Sequence, residues 1–258
     1  MPTERLRESW ARDEPVFNAW LSLEGAAGAA AVAASGYEAV TLDLQHGSAS
    51  LERAGEIFAA VEAAGAAPLV RTRWNDPAEI MRALDLGARG IVCPMVGSRA
   101  EAEALVAACR YPPEGVRSFG PVRGALGVGA EHVRRANRST IVLPMIETAD
   151  GLANVDDIAS APGLDGLYVG PTDLSLGLGL PSLGDLENPK LLEALDAVVA
   201  AARAHGIAPG VHAPSPERAA RMVERGFRFV CPAVDADLLR TGAESALSAT
   251  RARIRGTA

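Results

Sequence analysis

Lysine is almost absent from this chain. Of its 25 lysine and arginine residues, only Lys190 is a lysine. It follows Asn188-Pro189, which reads as the first turn of a helix. A Schiff-base lysine must project from a strand end into a desolvated pocket, so lysine-dependent carbonyl chemistry is not expected. Cysteine is scarce as well. Cys93, Cys109 and Cys231 are widely spaced and odd in number, which argues against a disulfide framework or a zinc site and for small buried thiols. Positive charge is not in excess. A net charge of −7 and a pI near 5.2 argue against a nucleic-acid or anionic-membrane surface. Long apolar runs are missing too. The alanine-rich stretch at 26–34 is far too short to cross a bilayer, and the charged first 18 residues lack a signal-peptide core. The expectation is a cytoplasmic protein. Gly177-Leu178-Gly179 lacks the spacing and acidic partner of a dinucleotide fingerprint, so no nucleotide cofactor is expected.

What the chain does have is apolar residues, 48% of 258. That suits one large α/β domain over residues 1–258 better than two small ones. Eight short apolar runs bounded by turn residues read as strands: 16–21, 39–44, 67–71, 90–94, 140–146, 165–169, 207–211 and 228–233. Helical patterns rich in Ala, Leu, Glu and Arg separate most of them. Ser50 reads as an N-cap, Pro77 as a first-turn proline, and Gly65, Gly87, Gly206 and Gly226 as helix ends. This alternation predicts a (β/α)₈ TIM barrel with its helices outside. Two Gly/Pro-rich inserts, 110–129 and 177–189, are expected to cover a site. A helix from Asp235 to about Arg255 has no strand after it, and is expected to close the barrel or pack on a neighbouring subunit.

The acids with chemical promise sit where strands should end, which is where parallel α/β proteins place their sites. Glu147 ends Ile141-Val142-Leu143-Pro144-Met145-Ile146, and Asp173 follows Gly170-Pro171-Thr172. As hard oxygen ligands without histidine or cysteine spacing, the two suit Mg²⁺ or Mn²⁺. Equally, each could cap the following helix. Asp43 and His46 in Asp43-Leu44-Gln45-His46-Gly47 could form a carboxylate–imidazole pair, or simply occupy a polar turn. Arg71 ends the third strand, where it could stabilise an oxyanion or pair with Asp43 or Asp76. His212, ending the seventh strand, could line a substrate mouth or sit at the rim. His132 and His205 fall within helical patterns and read as surface residues. Gly170 permits close approach to the backbone, and the free N–H groups at Thr172 and Asp173 could hold a carboxylate or phosphate.

Several segments, in this order, resemble the HpcH/HpaI aldolase family, in particular its short metal-dependent pyruvate aldolases. They are Asp43-Leu44-Gln45-His46-Gly47, Leu69-Val70-Arg71 with Trp74-Asn75-Asp76-Pro77, and Arg89-Gly90-Ile91-Val92-Cys93-Pro94-Met95-Val96. Further on come Arg110-Tyr111-Pro112-Pro113 with Gly115-Val116-Arg117, Met145-Ile146-Glu147-Thr148, and Gly170-Pro171-Thr172-Asp173-Leu174-Ser175. The resemblance implies reversible cleavage of 4-hydroxy-2-oxo acids to pyruvate and an aldehyde through a metal-bound pyruvate enolate. It implies Glu147 and Asp173 as ligands of a divalent cation, Mg²⁺ or Mn²⁺ with Co²⁺ a further candidate. It implies Arg71 on the keto oxygen, His46 assisting proton transfer with Asp43 as partner, and the backbone at Thr172 and Asp173 on the pyruvate carboxylate. Asp85 matches an acid that reaches an adjacent subunit's site. The family's barrels exchange a C-terminal helix in homo-oligomers, commonly hexamers built as trimers of dimers. This chain departs at Gln45, Met145 and His212 and over the segment 117–129, differences that bear on the aldehyde and its stereochemistry and not on the metal pair. Two rivals are an acyl-CoA lyase of the malyl-CoA or citrate lyase type, disfavoured by the short chain, and a catalytically silent barrel.

Overall fold

The structure is a computed structural model that describes residues 2–120 and 129–256. Eight parallel strands close into a barrel in chain order: β1 (Val16–Leu21), β2 (Ala39–Asp43), β3 (Ala67–Arg71), β4 (Gly90–Cys93), β5 (Ile141–Ile146), β6 (Gly166–Val169), β7 (Ala208–His212) and β8 (Phe229–Val234). This is the expected (β/α)₈ barrel, and every strand edge falls within one residue of its expected position. The helices between strands pack outside, so each strand is covered on both faces.

Strand alternation decides what enters the barrel. Val16 and Trp20 on β1, Ala39 on β2, Ala67 and Leu69 on β3, and Ile141, Leu143 and Met145 on β5 form one internal cluster with Tyr168, Phe229 and Cys231. Between them Asn18 accepts a hydrogen bond from Thr41 at 2.9 Å. Following each strand upward by twos reaches Trp20, Asp43, Arg71, Glu147, Gly170 and His212. A single parity therefore delivers apolar filling below and polar groups at the C-terminal mouth.

A helix not expected from the sequence, α1 (Pro2–Ala11), closes the opposite end. Leu6 is buried in the internal cluster. Arg7 donates to Asp165 (2.6 Å) and to the carbonyls of Arg138 (2.6 Å) and Thr140 (2.9 Å), and the Trp10 indole donates to the Arg228 carbonyl (3.0 Å). These partners precede strands, so α1 plugs the N-terminal mouth.

Two expectations need correction. The described part of the 110–129 insert lies at that N-terminal end, because it follows helix α5 (Arg99–Cys109) and not a strand. There Arg110 donates to the Gly163 carbonyl (3.3 Å), and Arg117 pairs with Asp85 (2.7 Å) with its guanidinium 4.4 Å from the Tyr111 ring centroid. Residues 121–128 of this insert lie outside the described residues. His132 is buried, not superficial. Its ring sits 6.2 Å from Tyr111 and 6.4 Å from Phe119, and burial, helped by the Arg117 charge, lowers its pKa. His205 is exposed, as expected, and bonds Asp156 at 2.9 Å.

The other punctuation largely agrees. Gly87 ends α4 (Pro77–Leu86) in a left-handed conformation, φ 115°. Ser50 precedes α3 (Leu51–Ala63), but its side chain makes no capping bond. All three cysteines are free and buried, and burial pushes the thiols of Cys109 and Cys231 up to about 12. No helix among the described residues is long and apolar enough to cross a membrane.

The last helix, α12 (Asp235–Gly256), leaves the barrel after β8 and is exposed along nearly its whole length. Leu238, Leu239, Leu247 and Ile254 are exposed on it. Its first residue is tied down. Asp235 accepts from the Ser22 backbone and hydroxyl, both at 2.8 Å, and from the Leu23 backbone at 3.1 Å. The Ser22 carbonyl in turn accepts from the Ser48 backbone (2.8 Å) and hydroxyl (3.1 Å). A Cβ at Gly47 would collide with the carbonyl of Asp43 and crowd that of Ser22. The loops after β1, β2 and β8 are thus laced together beside His46.

Candidate active site

The C-terminal mouth holds a cavity of about 330 Å³ lined by Trp20, His46, Arg71, Met145, Tyr168, Gly170, Pro171, Thr172, Asp173 and His212. The sequence reading brings six of these together: His46, Arg71, Gly170, Thr172, Asp173 and His212.

Parallel pairing of β2 with β3 places Asp43 opposite Arg71. Their side chains form a two-pronged ion pair, Nε to Oδ1 at 2.9 Å and Nη2 to Oδ2 at 2.5 Å. Asp43 also accepts from the Trp20 indole (3.2 Å) and from the backbone N–H groups of Gln45 (3.0 Å) and His46 (3.2 Å). Burial alone would raise its pKa. The bond and charge of Arg71, with the His46 and Trp20 bonds, outweigh burial and hold the carboxyl below its ordinary value. Asp43 is thus favoured as the carboxylate by its partners, and it aims Arg71. The expected Asp43–His46 imidazole pair is not formed, because Arg71 takes both carboxylate oxygens and His46 contributes its backbone N–H. The Arg71 guanidinium lies 5.0 Å from the Trp20 ring centroid, adding a cation–π contact. Its Nη1 has no partner among the described residues, and Arg71 lines the cavity.

Glu147 directly follows β5 and is buried. It does not cap the next helix. Thr148 does so, accepting from the Gly151 N–H at 2.9 Å. One oxygen, Oε1, accepts the backbone N–H of Met95 at 2.8 Å, and Met95 adopts the left-handed φ of 60°, uncommon for a residue with a side chain. The other, Oε2, is buried without a hydrogen-bond partner among the described residues. Burial raises the Glu147 pKa to about 7; the Met95 bond opposes the rise, and the nearby Asp173 charge adds to it. A buried carboxylate oxygen that bonds nothing among the described residues and feels the charge of a second acid fits a cation.

Asp173 lies in the first turn of α9 (Pro171–Gly177), whose N-cap is Gly170, so it is not a cap either. A Cβ at Gly170 would collide with Glu147 Oε2. The close approach that this glycine permits is thus made by the protein's own carboxylate. Gly170→Ala should push Glu147 aside, weakening divalent-metal affinity at least about tenfold for a carboxylate–metal bond lost or lengthened. Titration calorimetry checks this, and unchanged affinity would show that Glu147 is not a ligand. Among the described residues no group of three or more His, Cys, Asp or Glu side chains is gathered for a metal. The pair Glu147 and Asp173 would leave the remaining positions to water and substrate, as Mg²⁺ prefers.

His212 ends β7 with its ring edge-on to Trp20, 5.1 Å between centroids and 72° between planes. Burial, followed by the charge of Arg71, lowers its pKa to about 4, with Asp43 opposing. It is a neutral imidazole at physiological pH. Trp20, which stacks on Tyr168 at 5.7 Å, was not singled out in the sequence. The alternation Val16, Asn18, Trp20 was the available signal. Lys190 is exposed in the first turn of α10 (Pro189–Ala204) and does not line the cavity. The second insert, after α9, does return to the mouth: the Gly184 N–H donates to Ser175 Oγ at 3.1 Å.

A closed parallel barrel with this mouth has close relatives of known class. The "hydroxypyruvate/pyruvate aldolase" of Rhizorhabdus wittichii is 40% identical over 248 residues, 96% of this chain and 99% of that protein. A "4-hydroxy-2-oxo-heptane-1,7-dioate aldolase" of Salmonella dublin is 33% identical over 237 residues, 90% of this chain and 88% of the other. Among solved structures, an HpcH/HpaI aldolase/citrate lyase family protein from Burkholderia cenocepacia J2315 superposes with a TM-score of 0.89 at 32% identity, covering 96% of this chain and 98% of that one. Fold and relatives define a carbon–carbon lyase built on a (β/α)₈ barrel. The chain belongs to the HpcH/HpaI aldolase/citrate lyase family, whose sequence profile matches residues 17–241.

Proposed function

We propose that this protein is a cytoplasmic, divalent-cation-dependent pyruvate aldolase that reversibly cleaves 4-hydroxy-2-oxo acids into pyruvate and an aldehyde. The observation that carries the reading is the buried Glu147 carboxylate, with one oxygen unbonded, beside Asp173 and an Arg71 fixed by Asp43. Glu147 and Asp173 would hold Mg²⁺ or Mn²⁺, with Co²⁺ a further candidate. Such a cation supplies Lewis-acid charge that orients a 2-oxo acid and favours negative charge on its keto oxygen.

The chain's own residues divide the remaining work. The N–H groups of Thr172 and Asp173, in the first turn of α9, bind the pyruvate carboxylate. Arg71 presents Nη1 to the keto oxygen, where negative charge develops as the enolate forms; Asp43 and Trp20 keep that guanidinium from turning. His46, exposed at the mouth, takes the proton of the 4-hydroxyl as the C3–C4 bond breaks. Trp20, Met145 and Tyr168 form an apolar wall that limits water around the enolate.

The whole chain acts as one barrel domain, assembled into a homo-oligomer, by family resemblance a trimer of dimers, with α12 exchanged between subunits. The exposed leucines of α12 support that assembly, and sedimentation analysis tests it. Asp85, at the N-terminal end of its own barrel beside Arg117, would serve a neighbour's site and not its own.

The test is an aldehyde panel with pyruvate, run after chelation and then with added Mg²⁺, Mn²⁺ or Co²⁺. Activity should vanish on chelation and return with metal. Borohydride added with pyruvate should leave no adduct on Lys190, and Lys190→Arg should remain active. Full activity after verified metal removal, or a stoichiometric adduct, would reverse the mechanism. Turnover of CoA esters in place of 4-hydroxy-2-oxo acids would move the protein to the acyl-CoA lyases.

A further inference from the structure

The proposed mechanism assigns Glu147, Asp173, Arg71 and α9 to the pyruvate half of the cavity. On the rest of the lining stand Trp20, Tyr168, His46 and His212. The Tyr168 hydroxyl is itself buried. Besides His46, the polar side chain on this wall that a ligand can reach is His212.

Three observations define that imidazole. Its Nδ1 is buried without a hydrogen-bond partner, and neither ring nitrogen bonds a described residue. Nδ1 is enclosed, so Nε2 is the nitrogen left to meet the cavity. The ring is held by its edge contact with Trp20, which is fixed in turn by its bond to Asp43 and its stacking on Tyr168. Finally, the environment keeps the ring neutral. A neutral imidazole offers one donor and one acceptor and no charge.

We propose that His212 selects the aldehyde, hydrogen-bonding a hydroxyl on the carbon next to the aldehyde carbonyl, so that the preferred acceptors are short 2-hydroxyaldehydes. This rests on the aldolase reading and names its substrate class. A hydroxyl both donates and accepts, so it matches either imidazole tautomer. An alkyl acceptor leaves the imidazole dry and unbonded, which disfavours it. A carboxylate-bearing acceptor lacks a free cationic partner among the described residues lining the cavity, because the guanidinium there has two of its nitrogens committed to Asp43 and two further carboxylates stand nearby. A cavity of about 330 Å³, at the small end for ligand sites, favours a short chain beside pyruvate.

Glycolaldehyde and propanal form the matched probe pair, differing by a hydroxyl for a methyl. The wild-type enzyme, saturated with metal and pyruvate, should show a kcat/KM ratio of glycolaldehyde to propanal of about tenfold or more, the worth of a hydrogen bond in a dry site. Succinate semialdehyde should rank below glycolaldehyde. His212→Phe keeps the ring and its packing on Trp20 but removes both nitrogens, and should collapse the ratio about tenfold or more. His212→Gln, which returns a polar group at similar reach, should recover part of it and guards against a folding defect in the phenylalanine variant. Exchange of the pyruvate methyl protons into deuterated water is measured in parallel. An unchanged ratio in His212→Phe, or succinate semialdehyde ranking first, overturns the proposal. So does a loss of proton exchange as large as the loss of addition, because that would place His212 on the pyruvate half. If the wild type exchanges no pyruvate protons at all, the aldolase reading falls, and the proposal with it.

Discussion

Glu147→Gln is expected to make the metal-free protein more stable at pH 8 while abolishing its response to divalent metal. The folded pKa of Glu147 is about 7, against an ordinary value of 4.5. Below the ordinary value the carboxyl is protonated in both folded and unfolded chains, and its burial costs nothing electrostatically. As pH rises the unfolded chain ionises first, so stability is lost through the window between 4.5 and about 7 and stays lost above it. A shift of this size corresponds to about 3 kcal/mol. The amide of glutamine removes the charge but brings N–H groups of its own, which would take back about 1 kcal/mol if left unbonded. The net effect is a gain of about 2 kcal/mol at pH 8 and a loss of about 1 kcal/mol at pH 4, read from denaturant unfolding of chelated protein. Wild-type protein should regain stability on adding Mg²⁺ or Mn²⁺, and the variant should not. Aldol activity should fall below detection in the variant, as it should in Asp173→Asn. Equal stability of wild type and variant at pH 8 would mean that Glu147 is not the strained buried acid described above.

The second large effect separates Arg71 from His46. Arg71 is assigned to charge on the enolate oxygen, and every reaction that passes through the pyruvate enolate needs it. Arg71→Ala should therefore slow aldol cleavage and oxaloacetate decarboxylation alike, by about a hundredfold for a preorganised charge worth ~3 kcal/mol. The variant also leaves Asp43 buried without its counter-charge, a loss that destabilises folds by about 3–5 kcal/mol. Rates must accordingly be normalised to the folded fraction, and Arg71→Ala with Asp43→Asn relieves the stranded anion. Arg71→Lys keeps charge without the two-pronged grip and should recover little. His46 is assigned to the 4-hydroxyl proton, which decarboxylation does not involve. His46→Ala should slow aldol cleavage by about a hundredfold and decarboxylation far less. Equal losses in both reactions would mean that His46 organises the site as a whole.

How far the sequence revealed this arrangement depended on whether a residue's partner was encoded locally. Strands could be read because apolar runs such as Ala67–Arg71 lie between glycines and helical patterns, and alternation then placed Arg71 at the mouth. The acids Glu147 and Asp173 could be read because each follows a strand. The partner of Asp43 could not. His46 is three residues away in sequence, but the parallel register sets Arg71 beside Asp43, and pairing across strands overrides proximity along the chain. Helix α1 leaves little mark in the sequence because its mean hydropathy is low and its role rests on Leu6, Arg7 and Trp10 meeting strands far away along the chain. His132 reads as a surface residue on a polar helix, and only the packing of Tyr111 and Phe119 buries it. The insert at 110–129 reads as a loop over the site by its composition, but it follows a helix, and that position sets its described part at the N-terminal side.

Asp235 has a consequence for how the two halves of the reaction can fail separately. Its carboxylate fastens the root of α12 to the loop after β1, and through Ser22 and Ser48 to the loop that carries His46. The acceptor wall of Trp20, His46 and His212 stands on β1, β2 and β7, flanking that knot. The enolate-forming groups stand at the ends of β3, β5 and β6, with β3 paired to β2 and β6 to β7. A force on α12 would reach the His46 loop first, through Ser22 and Ser48. In the homo-oligomer proposed above, a subunit set free of its neighbours should therefore lose its grip on aldehydes before it loses exchange of the pyruvate protons.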